Sequence, residues 1–127
     1  MKNRGRIVFV LSLCVLAGGT VSMFAHHSHS SFDVTREVTI EGTVTQVLWT
    51  NPHSLLFLEV KGETQVKKWG LEAPSPNGLV RGGWTKESIK VGDKITATGN
   101  PSRSGAPMIL VKGVVTSDGK RLSARPE

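Results

Sequence analysis

The chain has 127 residues, 16 basic and 10 acidic side chains, a formal charge of +6 and a single cysteine. That length allows one small domain with one modest core. Cys14 falls inside an apolar N-terminal run, so the remainder can hold no disulfide, thiolate metal site or cysteine nucleophile.

Residues 1–25 read as a secretory signal. Lys2, Arg4 and Arg6 form a basic start, Ile7 to Ala17 an apolar run of 11 residues, and Gly18 to Ala25 a small-residue exit. The apolar run is too short to span a bilayer, and Leu13 is too large to precede a lipidated cysteine. A cut after Ala25 leaves His26 as the first residue, although Ala17-Gly18-Gly19 and Thr20-Val21-Ser22 fit the small-x-small rule better. The expected location is periplasmic or secreted. Removing the three basic residues leaves 13 basic against 10 acidic, or +3, and these charges are scattered. A nucleic-acid partner is therefore not expected.

Residues 26–36 form a His- and Ser-rich leader, expected to be mobile around Ser28 to Ser31. Val38 to Trp49 alternates with period two and is rich in Val and Thr, which predicts a long strand, with Gly42 marking a bend or bulge, as at a barrel corner. Asn51-Pro52 breaks the pattern, and Ser54 to Val60 resumes it. Lys61-Gly62-Glu63 turns into a third strand, Thr64 to Glu72. The two prolines of Ala73 to Gly78 exclude regular structure there. A helical turn is expected at Asn77 to Arg81, and a second one opened by Thr85. Lys94 to Gly99 and Met108 to Thr116 are further strands, and Asp118-Gly119 is a hairpin turn into a stub at Leu122. The expected fold is all-β. It is a small five- to six-stranded antiparallel barrel, OB-like, spanning 37–123, with short helical turns between strands three and four and a tail at 124–127. Closure removes the exposed edges that a flat sheet of this size would leave.

Several segments carry a resemblance. His26-His27-Ser28, Phe32-Asp33, Gly42-Thr43-Val44-Thr45, Trp49-Thr50-Asn51-Pro52-His53, Trp69-Gly70-Leu71-Glu72, Pro76-Asn77 before Leu79, Arg81-Gly82-Gly83-Trp84-Thr85 and Val91-Gly92-Asp93 before Thr98-Gly99 are the residues concerned. Together they resemble the small exported bacterial proteins of domain of unknown function 6152. The resemblance covers the whole mature chain, and the Trp-Thr-Asn-Pro-His turn is its most specific part. It implies the domain size and export and supplies no activity. The second Ser-His pair, which brings in His29, departs from that family's pattern.

Two sets of residues carry chemistry. The four histidines, His26, His27, His29 and His53, are nitrogen ligands suited to copper or another transition metal. A free amine on His26 would chelate together with its own ring, and His53 would supply a second imidazole. The plainer alternative is a solvated leader, with His53 hydrogen-bonding its own turn. The second set is Trp49, Asn51, His53, Trp69, Glu72 and Arg81, placed around the strand-two and strand-three face where OB-type barrels hold ligands. Filling the core is the plainer reading of the tryptophans, and Glu72 with Arg81 would form a buried pair locking the double-proline loop.

No Gly-x-Ser-x-Gly elbow, close carboxylate pair or phosphate loop is present, so no enzyme is expected. The expected function is a non-enzymatic binding module for a small molecule, a peptide or an envelope protein. The alternatives are a copper-binding protein and an accessory subunit of an envelope complex.

Overall fold

The computed structural model describes residues 27–124, with His27 and Ser28 described in their backbone alone. The signal segment, His26 and the last three residues lie outside the described residues. The chain divides into two compact units at Ser30/Ser31. The first contributes one described element, a short helix α1, His27–Ser30.

The second unit holds six strands, β1 (Val38–Leu48), β2 (Ser54–Lys61), β3 (Val66–Ala73), β4 (Lys94–Pro101), β5 (Met108–Thr116) and β6 (Arg121–Ser123), and one helix, α2 (Pro76–Arg81). The sheet order is β3-β2-β1-β4-β5-β6, and a parallel pairing of β3 with β5 joins Gly70–Glu72 to Met108–Leu110. That seam turns five strands into a closed barrel with OB-type strand order, and β6 is one strand more. The expected all-β barrel is the observed fold.

β1 shows why so short a chain closes. Val38 to Thr43 pair with β4, while Thr43 to Leu48 pair with β2, so one coiled strand belongs to both walls. Gly42 sits where the walls meet. A Cβ there would come within 2.7 Å of Glu59 O and 3.1 Å of Leu58 Cβ. The irregularity expected at Gly42 lies instead at Thr45, where the register with β2 shifts between Val44 and Gln46. This bulge inserts one residue and exchanges the faces. Ile40 and Val44 are buried before it, and Val47 and Trp49 pack on the core after it. Unbroken alternation, the sequence expectation, would have turned Val47 and Trp49 outward.

β5 is flanked on one side by β4 and on the other by β3 and then β6, which pair with successive halves of the same edge. Leu122 and Ala124 enter the core with Val114 and Val111, so the core extends one residue into the expected tail. α2 closes the barrel end. Pro76 stands in its first turn, where a missing N–H costs nothing, and Ser75 Oγ accepts from Gly78 N at 3.3 Å. Leu79 and Trp84 follow as plugs, 1% and 2% exposed, and Trp84 Nε1–H donates to Ser123 O at 2.7 Å. The second helical turn is a single hydrogen-bonded turn and not a helix: Thr85 N–H donates to Ser88 Oγ at 2.8 Å, and Ser88 N–H to Thr85 O at 3.1 Å.

Residues 31–37 form a strap rather than part of a loose leader. Asp33 N–H donates to Pro101 O, Arg103 N–H to Ser31 O, and Asn100 Nδ2–H to Arg36 O. Phe32, 3% exposed, bridges to Ser102. Phe32 and Leu110 are buried outside the main core cluster, on the wall that the strap crosses.

Candidate functional site

The β1–β2 turn is a short, cross-tied loop. The Asn51–Pro52 peptide is cis, and Thr50 Oγ1–H donates to His53 O at 2.9 Å. Asn51 and Pro52 are exposed, and His53 is half-buried. The turn delivers His53 to the end of β3, where Glu72 sits opposite Leu55. His53 Nδ1 lies 3.2 Å from Glu72 Oε1, with the two side chains 32% and 13% exposed. The contact is within ion-pair distance. Glu72 Oε1 is buried and has no hydrogen-bond partner.

Alternation explains the position of Glu72. Leu71 and Ala73 point into the barrel and are fully buried, so Glu72 between them points out. Pairing continues that outward row around the barrel, from Leu48 to Leu55 to Glu72 to Leu110 to Asn100. One step along β2 and β3, Phe57 lies opposite Gly70, and Gly70 lies beside Met108. A Cβ on Gly70 would meet Met108 Cγ at 3.3 Å and Phe57 Cε1 at 3.7 Å, so these two side chains close over the buried backbone of Gly70. Lys68 Nζ stands 5.8 Å from the Phe57 ring centroid, an ordinary cation–π distance. The result is an apolar surface of Leu48, Leu55, Phe57 and Met108, all half-buried, with His53 and Glu72 at one edge.

The expected site residues separate on this frame. Asn51, His53 and Glu72 come together at the turn. Trp49 and Trp69 do not join that surface, because both pack against the core. Trp49 lines a narrow apolar crevice with Val47, Ser54, Leu56, Leu79, Trp84 and Ile89 at the barrel end. Ser54 Oγ, buried beside it, has no hydrogen-bond partner. Arg81 is exposed at the end of α2, and no ion pair joins it to Glu72 among the described residues. The loop lock is made instead by Trp84 on Ser123 and by Gly82, whose Cβ position lies 2.5 Å from Ser123 O.

Of the proposed metal ligands, His26 lies outside the described residues, His27 is described only in its backbone, and His29 is exposed. Among the described residues no group of three or more His, Cys, Asp or Glu side chains is placed to hold a metal ion.

Leu48, Leu55, Phe57 and Met108 were missed as surface residues. The readable sign was Leu55 to Leu58, four consecutive apolar residues in a strand. A run without alternation means that both faces of the strand are apolar.

A model of the family described as "Family of unknown function (DUF6152)" matches residues 14–111. The chain belongs to that family. The matched stretch takes in β1 to β4 and the part of β5 that pairs with β3, and so contains every pairing of the closing seam. It also contains His53, Glu72 and the four apolar residues of the outer surface. No curated protein matches this family member.

Proposed function

We propose that this barrel is an exported binding module whose ligand lies on the outer face of β1, β2 and β3, against Leu48, Leu55, Phe57 and Met108, with His53 and Glu72 supplying polar contacts. The observation that carries the reading is the apolar surface around Gly70. In OB-type barrels this face, with the β1–β2 and β4–β5 loops, commonly holds oligomeric ligands, a fold-level analogy that raises the prior. The local chemistry agrees with it. A half-buried aromatic ring beside a strand position without a side chain offers a flat stacking platform, and a carboxylate and imidazole at the rim fix orientation. Export rests on the basic, apolar and small-residue pattern of residues 1–25.

Ligand-observed NMR against a library of small sugars, peptides and aromatic metabolites provides the test, followed by amide shift mapping. Shifts clustered on β2, β3 and the β1–β2 turn, weakened about tenfold or more by Phe57→Ala, are expected, since an aromatic contact of about 1–3 kcal/mol is lost. Shifts confined to β4, β5 and β6, or binding indifferent to Phe57, overturn the reading.

A further inference from the structure

We infer that His53 and Glu72 form a two-ligand site for a divalent transition metal such as zinc, a property that goes beyond the apolar surface and does not depend on it.

Two features of the pair point to a shared ion. The separation is 3.2 Å between His53 Nδ1 and Glu72 Oε1. Ligands about 2.0–2.1 Å from a tetrahedral zinc stand about 3.3–3.4 Å apart, so nitrogen and oxygen already have the spacing of neighbouring ligands. The oxygen is also buried and without a hydrogen-bond partner, a costly condition unless something satisfies it.

Access and rigidity suit an ion as well. His53 is 32% exposed, so an ion enters from the solvent side of the ring while Glu72 forms the floor. Both side chains stand on fixed backbone. Glu72 is held in the β3 ladder between two buried residues, and the His53 carbonyl is tied to Thr50 Oγ1. One imidazole nitrogen and one carboxylate oxygen form a donor set that suits zinc and its first-row neighbours, whereas calcium and magnesium prefer oxygen alone. Two protein ligands leave the remaining positions to water or to a donor atom of a bound ligand. Such a site is open, and its affinity is moderate.

The test uses protein purified after expression of the full chain, in a parent carrying His26→Ala, His27→Ala and His29→Ala to remove the leader's own affinity. Zinc chloride is titrated calorimetrically into the parent and into the same protein with Glu72→Gln or His53→Ala. One saturable zinc per chain is expected in the parent, weakened at least about tenfold in each variant, the least that loss of a supporting group costs a metal site. In parallel, the imidazole nitrogen resonances of His53 are followed by NMR in the parent as zinc is added. A shift at Nδ1 is expected, and this readout does not depend on either variant folding. Absence of saturable binding, unchanged affinity in either variant, or an unmoved His53 resonance overturns the proposal. Zinc binding that is present only when the leader histidines are restored overturns it too.

Discussion

Gly99→Ala should damage the barrel far more than its single methyl group suggests. Gly99 lies on β4 at the register shift that skips Lys112, facing β5 just before the β3–β5 seam. A Cβ built there would stand 2.3 Å from Leu110 O, 2.9 Å from Leu110 C and 3.0 Å from Val111 Cα. All three atoms are backbone, so no rotamer change relieves the clash. Either β4 and β5 separate or the bulge moves, and Leu110 is one of only three β5 residues that close the barrel against β3. Overpacking in a core costs about 1–3 kcal/mol, and a backbone clash belongs at or above the upper end. With a urea m-value of about 1–1.5 kcal/mol/M, a loss of about 3 kcal/mol lowers the unfolding midpoint by about 2–3 M. Gly83→Ala provides the control. Nothing lies within 4 Å of its Cβ position, but φ is +84°, so its penalty of about 1–2 kcal/mol is conformational only. Urea unfolding followed by tryptophan fluorescence measures both. If Gly99→Ala costs no more than Gly83→Ala, the close approach of β4 to β5 is not what requires glycine at 99.

Phe32→Ala should cost about 3–5 kcal/mol because Phe32 is the buried anchor of the strap. Hydrogen exchange at the Asp33 and Arg103 amides should accelerate before the strand amides do; uniform acceleration would mean that the strap is not a separate unit. Trp84→Phe removes the indole donor from Ser123 O and should cost about 1–2 kcal/mol, lowering the melting temperature by about 4–16 °C. No measurable shift would show that packing alone holds the β6 end. The Thr35 hydroxyl, 2.6 Å away, holds the Asp33 carboxyl below the usual carboxylate range. The folded-state value is depressed, so this stabilisation is present above about pH 4 and is lost as pH falls through the lowered value. Asp33→Asn should therefore be less stable than the parent at pH 6, with the gap narrowing as the pH is lowered below about 4, as measured by thermal unfolding. A gap that stays constant with pH would remove Asp33 ionisation as the cause.

Most of the barrel was legible because its signals are local. β-branched alternation marked β1, Asp118-Gly119 marked the last hairpin, and the helical turn was expected at Asn77 to Arg81. α2 nevertheless begins at Pro76 and β3 reaches Ala73, inside the stretch that the two prolines were expected to exclude from regular structure. The face exchange at Thr45 was not legible, since a bulge is fixed by pairing with β2 and has no composition of its own. For the same reason the tryptophans were placed correctly as aromatics of a small domain but not sorted between wall and core. Glu72 was singled out with the wrong partner. Arg81 is near it in sequence, while His53 is brought to it by the β2–β3 register, which pairs Leu55 with Glu72. The strap was read as loose because it continues the His- and Ser-rich stretch before it, yet its one aromatic side chain, Phe32, fixes it.

The shared edge of β5 also affects how the chain can be made. The seam joins residues around 71 to residues around 109, and β6 then completes the same edge from the last segment described. Roughly the first hundred residues therefore wait, already patterned as strands, with unpaired edges and uncovered apolar faces until the final quarter of the chain arrives. Such a waiting state is where strands pair with the wrong neighbours. Pairings this distant along the chain also place the barrel among slow-folding topologies. Fusions, tags or deletions at the carboxyl end should thus be felt first as lower yield and aggregation during synthesis, even where the finished domain tolerates them.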